Sequence, residues 1–462
     1  MNGDSLSFDV IIIGAGPAGM FAAYELARYT NLKVVIIDQG KDVEQRICPA
    51  KQYSFCRKCS PCNIMSGVGG AGTLSSGLLN LKPDIGGNLI EMLGSEKEAW
   101  DLVNYVDSIF LEYGAPTKIY HGDTSSIEEL KRKAAAVGAK FIPIPQRHIG
   151  TDNSVKVIKN FKNDLERKGI SFMLNTKVIK INRGEVILEN GTKLKTKYII
   201  AAPGRVGANW IAEQVKQLGI PTKHEPIDIG VRVEVPSVVM NPIISVNRDP
   251  KFHIYTKTYD DFIRTFCVNH KGFVVQELYD GFIGVNGHSM VDEQSENTNF
   301  AFLVKISLTE PIEDTTEFGR SITRIATILG GGKPILQRLG DLRLGRRSTW
   351  KRISQSYIKP TLTSVTPGDI AMVLPHRILT DILEGLDTLN KIIPGVASSS
   401  TLLYAPEVKF SANKIEANKG LETPVSGLYV AGDGTGHSRG IVIAAATGII
   451  AARDIIKKES VQ

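Results

Sequence analysis

Four of the five cysteines in this chain of 462 residues lie in one short segment, at Cys48, Cys56, Cys59 and Cys62. Their spacing is C-x7-C-x2-C-x2-C, and thiolates at C-x2-C intervals can wrap a turn of chain around one iron–sulfur cubane. Structural zinc more often uses two C-x2-C pairs that are well separated in sequence, so zinc fits this spacing less well. The segment therefore predicts a metal centre on these four cysteines, with a 4Fe-4S cluster favoured over zinc.

Two other interpretations of the cysteine segment stay open. A redox-active thiol pair would need only two of the four cysteines, and cysteines also serve as small apolar packing residues. Lys51, Arg57 and Lys58 lie among them, and such positive charge favours the thiolate form. The segment runs directly into the glycine-rich stretch GVGGAG (67–72), and this position favours a role in electron transfer.

A dinucleotide-binding fingerprint lies near the N-terminus. A short apolar run up to Ile13 is typical of a buried parallel strand, and Gly14, Gly16 and Gly19 then form G-x-G-x-x-G before a helical pattern. The first glycine permits a tight turn, the second lets a pyrophosphate approach the backbone, and the third allows close helix–strand packing. A second apolar run ends in Asp38, an acid that suits the ribose hydroxyls. NAD domains and FAD domains share this fingerprint.

Motifs spread over nearly the full length of the chain match one family. They are IMSGVGGAGTLSSG (64–77), EPIDIGVRVEVPSVVMNPI (225–243), RTFCVNHKGFVVQE (264–277), GVNGHS (284–289), APEVKF (405–410) and GLYVAGDGTGHSRGI (427–441). With these motifs the chain resembles the uncharacterised FAD-dependent dehydrogenases. They belong to the glutathione-reductase-like, two-dinucleotide-binding flavoproteins, and are related to enzymes of the geranylgeranyl-reductase type. The resemblance implies an FAD-dependent oxidoreductase and leaves the substrate open.

The resemblance also implies which residues contact FAD. In flavoproteins of this class the Asp of the C-terminal Gly-Asp turn binds the ribityl chain. The following helix points its N-terminus at the isoalloxazine, where its positive end stabilises the anionic reduced flavin. The implied contacts are Gly14, Ala15, Gly16, Pro17, Ala18, Gly19, Asp38, Gln39, Gly69, Gly70, Ala71, Gly72, Val178, Pro203, Gly204, Gly432, Asp433, Gly440 and Ile441.

The sequence contains no sharp catalytic constellation, and four residues are catalytic candidates. His437 and Arg439 lie in the turn before the flavin helix, where a basic pair would bind an anionic substrate or stabilise reduced flavin, and a solvated turn is the other interpretation. Arg264 and Cys267 belong to the RTFCVN motif, for which a flavin-facing role is one interpretation and a buried structural cysteine is the other. Glu407 is interpreted as either a general acid or a strand-end charge.

The composition is that of an ordinary globular protein, with 42% hydrophobic and 22% charged residues. The net charge of +7 comes without a long basic run or an aromatic-basic stripe, so nothing points to nucleic acid. No signal-peptide pattern is present, and the longest apolar stretch, GIVIAAATGIIAARDII, is too short to span a bilayer. We therefore expect a cytoplasmic protein without a membrane span.

The strand and helix patterns predict an α/β fold with a discontinuous Rossmann-like FAD-binding domain and an inserted α+β substrate domain. The predicted FAD-binding parts are residues 1–92 (with the cysteine-rich loop 46–66), 151–205 (with a β-meander) and 402–462. A helical insertion is predicted at 93–150, and the substrate or partner domain at 206–401.

The predicted reaction is hydride transfer between flavin and a small organic substrate, with electrons exchanged with a cysteine-bound iron–sulfur centre. A ferredoxin or another acidic carrier would supply the electrons, and the basic segment RLGDLRLGRRSTWKR (338–352) is either its docking surface or a solvated face. No second strand–GxGxxG–helix unit is present, so only transient docking of NAD(P)H is expected. The alternatives are a flavin monooxygenase or oxidase with a structural metal, and an electron-transfer or redox-sensing flavoprotein.

Overall fold

The computed structural model describes residues 7–49, 59–74, 77–279, 282–289, 293–308, 314–410 and 412–461. Its helices are α1 (Pro17–Tyr29), α2 (Leu89–Leu93), α3 (Glu96–Glu112), α4 (Thr124–Ala135), α5 (Thr151–Arg167), α6 (Ala208–Gln217), α7 (Ser237–Ile244), α8 (Thr315–Leu329), α9 (Leu339–Arg343), α10 (Trp350–Ser354), α11 (His376–Ile392) and α12 (Ile441–Ser460). Its strands are β1 (Ser7–Ile13), β2 (Val34–Ile37), β3 (Leu78–Asn80), β4 (Ile119–Tyr120), β5 (Ala139–Ile142), β6 (Gln146–His148), β7 (Ser171–Met173), β8 (Val178–Asn182), β9 (Glu185–Leu188), β10 (Lys193–Ala201), β11 (Thr222–Lys223), β12 (Ile227–Pro236), β13 (Lys251–Tyr255), β14 (Phe262–Asn269), β15 (Phe273–Tyr279), β16 (Phe282–His288), β17 (Asn297–Ile306), β18 (Ile335–Arg338), β19 (Thr366–Pro367), β20 (Leu402–Lys409), β21 (Lys414–Ile415) and β22 (Leu428–Val430).

The chain divides into two units. Unit 1 comprises Met1–Ile119, Arg147–Glu225 and Ala412–Gln462, and unit 2 comprises Tyr120–Gln146 and Pro226–Ser411. No helix of the described residues is long and apolar enough to cross a membrane.

Unit 1 contains a mostly parallel sheet. Strands β7, β2, β1 and β10 lie side by side in parallel, β22 pairs in parallel with β10, and β9 and β8 extend the sheet antiparallel. Val10 and Ile12 of β1 pack in the apolar core on one face, and Ile11 and Ile13 in the core on the other. Burial on both faces explains the continuous apolar run of β1. The predicted α/β class with a Rossmann-like domain is confirmed.

Helices α1 and α12 pack directly on each other at one face of this sheet. A β-carbon at Gly448 of α12 would lie only 1.9 Å from the carbonyl oxygen of Ala18 in α1. Each helix follows a strand of the parallel sheet, β1 or β22. Both helix N-termini therefore lie at the carboxyl edge of the sheet, where open α/β sheets bind their ligands.

Unit 2 contains an eight-stranded sheet in the order β19-β18-β20-β12-β17-β14-β13-β5. Along β12 the side chains alternate between two buried faces. Ile229 and Val233 join the apolar core that α11 also enters. Arg232 and Glu234 are fully buried among polar partners instead. A buried charged residue requires ion pairs or hydrogen bonds, so this face of the sheet carries a polar network beside a smaller apolar cluster that includes Leu402 and Tyr404.

The boundaries of the units differ from the predicted domains because distant strands pair. The predicted insertion 93–150 is divided, since α3 lies in unit 1 whereas α4 and β5 lie in unit 2, where β5 pairs with β13. Residues 206–225 belong to unit 1. Residues 402–411 belong to unit 2, where β20 pairs with β12 and β18.

Candidate cofactor site

The glycines of the β1–α1 turn have two different functions. Gly14 has a φ of +108°, and a β-carbon there would lie 2.1 Å from the carbonyl oxygen of Ala202. A β-carbon at Gly19 would lie 1.9 Å from the carbonyl oxygen of Gly14, so neither position accepts a side chain. At Gly16 the nearest described atom to such a carbon would be the α-carbon of Gly70, 3.7 Å away. The space beside Gly16 is therefore open to a ligand, as close approach of a pyrophosphate requires.

Asp38 directly follows β2 and is held by two backbone amides. Its Oδ2 accepts a hydrogen bond from the amide of Ala15 at 2.8 Å, and its Oδ1 accepts one from the amide of Gly40 at 2.7 Å. Each carboxylate oxygen can accept a second hydrogen bond, so the arrangement fits the predicted contact with ribose hydroxyls. The neighbouring Gln39 donates from Nε2 to the hydroxyl of Ser66 at 3.3 Å.

Residues 67–72, called the glycine loop below, contact the starts of both α1 and α12. The amide of Gly69 donates to the carbonyl oxygen of Ala15 at 2.8 Å. A β-carbon at Gly72 would lie 2.7 Å from the side chain of Ile441, the first residue of α12. The glycine loop therefore joins the N-terminal fingerprint to the C-terminal helix, as the resemblance implies.

Arg46 anchors the glycine loop, and sequence reasoning did not find it. The side chain is 4% exposed and donates only to backbone carbonyl oxygens among the described residues. These belong to Asn63 (from Nε, 3.0 Å), Ile64 (from Nη2, 2.7 Å), Val68 (from Nη1, 2.6 Å) and Gly70 (from Nη2, 2.9 Å). Burial lowers the pKa of Arg46 to about 10, against the opposing effect of Asp38 and Cys62. Arg46 therefore carries a buried positive charge beside the cradle, and no local sequence pattern signals it.

Asp433, the predicted ribityl ligand, lies where two glycine turns pack together. A β-carbon at Gly434 would lie 2.1 Å from the carbonyl oxygen of Gly204, so the two turns singled out in the sequence touch. Asp433 Oδ2 lies 3.1 Å from Nε and 2.9 Å from Nη2 of Arg205. About a quarter of each side chain of this ion pair is exposed. The carboxylate is thus accessible, and Arg205 is a further residue that sequence reasoning missed.

The N-terminus of α12 presents hydrogen-bonding groups that the protein itself does not satisfy. Gly440 precedes the helix and provides no side-chain cap, so its first amides are available to a ligand. The hydroxyl oxygen of Ser438 is buried and has no hydrogen-bond partner among the described residues. Buried polar atoms normally have a partner, and a bound group would provide it. The open space at Gly16 and the unpartnered Ser438 both fit a large dinucleotide.

His437 differs from the predicted basic pair. Its side chain is 5% exposed, and its Nδ1 lies 3.2 Å from the hydroxyl of Thr435. Burial, and then the nearby charge of Lys414, lower the pKa of His437 to about 4. The imidazole is therefore neutral near pH 7, which corrects the expectation that it acts as a cation. Arg439 donates its backbone amide to Gly86 at 2.7 Å, and its guanidinium keeps a charge at this turn.

Val178 lies in β8 with its side chain 6% exposed in an apolar core of unit 1. The side chain serves packing, so a predicted contact with the cofactor would have to come from the backbone.

The cysteine segment is described only in part. Cys56 lies outside the described residues, and Cys48, Cys59 and Cys62 are free thiols. Cys59 is exposed, and the other two are partly buried. Within the part of the chain that the structure describes, no three His, Cys, Asp or Glu side chains gather in a metal-binding arrangement. The described cysteines therefore give no support to the predicted cluster or zinc ion.

Four of the sequence motifs meet at Arg232 in unit 2. Its Nε and Nη2 donate to the two carboxylate oxygens of Glu407 at 2.7 and 2.8 Å. Its further acceptors are the carbonyl oxygen of Cys267 (3.0 Å), Oδ1 of Asn299 (3.0 Å) and Oδ1 of Asn286 (3.3 Å). Burial alone would raise the pKa of Glu407, but Arg232 and Lys409 hold it below its ordinary value. Glu407 is therefore an ion-pair partner and not a general acid.

The other two catalytic candidates lie in unit 2, on β14, whereas His437 and Arg439 lie in unit 1. Arg264 donates from Nη2 to Asp228 at 2.7 Å, and its guanidinium lies 5.1 Å from the centre of the Phe266 ring. Cys267 has a φ of +49° at an irregularity of β14. A positive φ is unusual for cysteine, and the bond from Arg232 to its carbonyl oxygen helps to hold it. The backbone of Cys267 thus belongs to the Arg232 network, and its thiol is partly buried.

Two family models match separate parts of the chain. Residues 226–410 match the family described as FAD-dependent protein, C-terminal domain-like, and residues 8–100 match the family described as pyridine nucleotide-disulphide oxidoreductase. Each match covers less than half of the chain, and together they make it similar to FAD-dependent proteins and to oxidoreductases. The first match coincides closely with the larger segment of unit 2, and the second covers the β1–α1 turn and the glycine loop.

The similar proteins do not indicate a substrate for this chain. An uncharacterized protein of Clostridium beijerinckii is 28% identical over 97% of this chain and 80% of its own length. Glycine oxidase from Geobacillus kaustophilus is 12% identical with a TM-score of 0.41, covering 98% of this chain and 95% of that chain. A 3-ketosteroid-Δ4-(5α)-dehydrogenase from Rhodococcus jostii is 12% identical with a TM-score of 0.44, covering 98% of both chains. Such distant similarity carries no information on the reaction.

Proposed function

We propose that this protein is an FAD-dependent dehydrogenase or reductase of the uncharacterised family named above. It would transfer hydride between flavin and a small organic substrate. The observation that carries the proposal is the open space at Gly16, between the β1–α1 turn and the glycine loop. Bound FAD would supply the hydride chemistry.

The described residues of unit 1 support separate tasks in binding that cofactor. Asp38 would accept hydrogen bonds from the ribose, and Asp433 would accept them from the ribityl chain. The start of α12 offers backbone amides and the positive end of a helix dipole, which favours negative charge on the flavin. Since His437 is neutral, the positive charge near this turn comes from the helix and from Arg439, whose Nη2 lies 3.8 Å from a carboxylate oxygen of Glu225.

The electron source is proposed from charge alone. A ferredoxin or another acidic carrier would bind the basic segment 338–352, and NAD(P)H would dock transiently as the other donor. Within this segment Arg346 lies 2.9 Å from the buried carboxylate of Asp341, and Arg343 pairs with Asp387. Trp350 is 51% exposed beside them. Part of the positive charge is thus neutralised internally, and the exposed tryptophan supports a contact surface.

The iron–sulfur centre remains a proposal from the cysteine spacing. Iron, zinc and labile sulfide analysis of anaerobically purified protein would test it. About four iron and four sulfide per chain, the content of a cubane, would support the cluster. Zinc alone or no metal would end the proposal.

The test of the cofactor site uses two glycines that both have room for a methyl group. A β-carbon at Gly16 would meet only Gly70 at 3.7 Å, and one at Gly284 in unit 2 would meet Pro406 at 3.6 Å. We expect Gly16→Ala to keep or raise the stability of the apoprotein and to weaken FAD binding at least ~10-fold, because the methyl group occupies ligand space. Gly284→Ala should leave FAD binding unchanged. Equal FAD affinity in both variants would contradict the site.

Turnover measurements separate the proposed reaction from the alternatives. Anaerobic turnover of a reducible substrate panel with an artificial electron donor would support a dehydrogenase or reductase. Rapid reaction of the reduced protein with oxygen, together with substrate hydroxylation, would favour a monooxygenase. Absence of turnover with a co-purifying partner protein would favour an electron-transfer role.

A further inference from the structure

Arg46 makes hydrogen bonds to both the end of the cysteine segment and the glycine loop. Two of its acceptors, the carbonyl oxygens of Asn63 and Ile64, directly follow Cys62. The other two, those of Val68 and Gly70, belong to the glycine loop. One guanidinium therefore binds the end of the cysteine segment and the cofactor cradle at the same time.

The contacts around Arg46 leave little freedom to either segment. A β-carbon at Gly67 would lie 2.4 Å from the carbonyl oxygen of Lys41, and one at Gly40 would lie 2.3 Å from the amide nitrogen of Gly67. The carbonyl oxygen of Cys62 accepts hydrogen bonds from the amides of two following residues, Met65 and Ser66. Because a guanidinium is planar with donors in fixed directions, a displacement at Asn63 and Ile64 must alter its bonds to the glycine loop.

We propose that Arg46 is a positioning residue that couples the cysteine segment to the FAD cradle. Binding of FAD at Gly16 and Gly70 would order the residues around Cys62, and a chemical change at Cys62 would alter the affinity for FAD. The inference rests on the proposed cofactor site. It adds a link through which a perturbation at Cys62 would reach that site.

Variants at Arg46 separate its hydrogen bonds from its charge. Arg46→Lys keeps the charge but offers three donors from one nitrogen, and Arg46→Met removes both charge and donors. A matched control is Arg147, another buried arginine of unit 1, which pairs with Asp107 at 2.7 Å. Arg147→Lys and Arg147→Met report the general cost of changing a buried arginine.

The first readout is amide hydrogen exchange of residues 63–72 in the apoprotein, together with the Kd for FAD. We expect faster amide exchange in both Arg46 variants. The Kd for FAD should rise about tenfold or more in Arg46→Met, and the Kd of Arg46→Lys should lie between those of native protein and Arg46→Met. The Arg147 variants should exchange like the native protein in this segment. Unchanged exchange and an unchanged Kd in the Arg46 variants would overturn the proposal. If Arg46→Met does not fold, the amide exchange and the Kd of Arg46→Lys are compared with those of Arg147→Lys, and this comparison tests the proposal.

The second readout is the alkylation rate of individual cysteines, followed by mass spectrometry. In the native protein FAD should slow alkylation of the partly buried Cys62 several-fold, and in Arg46→Met this protection should disappear. Equal protection by FAD in native protein and variant would contradict the coupling. If the native chain binds no FAD, the proposed function is refuted. Amide exchange in the apoprotein would then still test whether Arg46 restrains the glycine loop.

Discussion

Several side chains of this protein have properties that follow from burial rather than from residue type. His437 was expected to be a cation from its position in a basic turn, yet its burial keeps it neutral near pH 7. Arg46 has no local signature, yet it donates to two carbonyl groups of the glycine loop and to two that directly follow Cys62. Both cases arise because contacts with residues outside a motif determine charge and role.

The low pKa of His437 predicts a loss of stability in acid. The unfolded chain binds a proton at this histidine below about pH 6.5, whereas the folded chain does so only near pH 4. Stability therefore falls as the pH decreases through this window, by roughly 2–4 kcal/mol in total. Urea unfolding at pH 7.5 and 4.5 should show that the stability advantage of native protein over His437→Gln shrinks at the lower pH. A difference that is the same at both pH values would refute the assignment.

Asp381 in α11 of unit 2 should make the stability depend on pH in the opposite direction. Burial, and then the adjacent carboxylate of Asp261, raise the pKa of Asp381 to about 6, and Thr256 donates to its Oδ1 at 2.7 Å. Its Oδ2 has no donor among the described residues, and a proton on Asp381 would supply the hydrogen bond to Asp261. The stabilising protonated form is lost as the pH rises through about 6.

Replacement of Asp381 by asparagine should therefore stabilise the protein in neutral and alkaline solution. Asparagine imitates the protonated carboxyl. We therefore expect the free energy of unfolding of Asp381→Asn, relative to that of native protein, to be roughly 1–3 kcal/mol higher at pH 8 than at pH 4. Chemical unfolding at both pH values measures the gain. Asp387→Asn on the same helix, where the carboxylate is exposed, is the control. An equal effect at both pH values would contradict the prediction.

Packing between elements limits the cofactor site as strongly as its polar contacts do. Helices α1 and α12 approach so closely at Gly448 that their distance fixes where the first residues of α12 lie against the glycine loop. Sequence reasoning identified both helices, because a glycine-rich turn followed by an apolar helix is a local pattern. The close approach at Gly448 depends on Ala18, more than 400 residues away, and no local pattern reports it.

Gly448→Ala tests this contact through two opposing effects. Alanine stabilises a helix interior by about 1 kcal/mol relative to glycine, whereas a methyl group 1.9 Å from the carbonyl oxygen of Ala18 forces the helices apart. Overpacking of this kind costs typically 1–3 kcal/mol, so we expect a net loss of stability and a higher Kd for FAD. Thermal unfolding and FAD titration measure both. Ser460→Ala at the exposed end of α12 should change neither, and a stabilised Gly448→Ala would refute the close packing.

The molecule as a whole consists of two units with separate apolar cores. Sequence analysis predicted the discontinuous cofactor domain because its fingerprint lies at one end of the chain and its flavin helix at the other. The boundaries at 120–146 and 206–225 could not be predicted, since they depend on β5 pairing with β13 and on α6 packing in unit 1. The same limit applies to Arg205 and Asp433, which form an ion pair across 228 positions.

Separate cores predict two unfolding transitions. FAD should shift the transition of unit 1 to a higher urea concentration. A ligand at 100 times its Kd stabilises its own unit by about 2.7 kcal/mol. Hydrogen exchange in increasing urea, followed by mass spectrometry, should show the peptides of unit 1 shifting with FAD while those of unit 2 do not. A single transition shared by all peptides would contradict the prediction.

The division of unit 1 over three segments also sets an order for synthesis on the ribosome. Unit 2 ends at Ser411, so its sheet can form while the last part of the chain is still being made. Unit 1 still lacks β22 and α12 at that moment, because residues 412–461 supply them. The parallel sheet that begins with the fingerprint is therefore incomplete until residues 412–461 have been made. Any capture of cofactor is a late event, and a stalled or truncated product would expose an incomplete parallel sheet to proteases and chaperones.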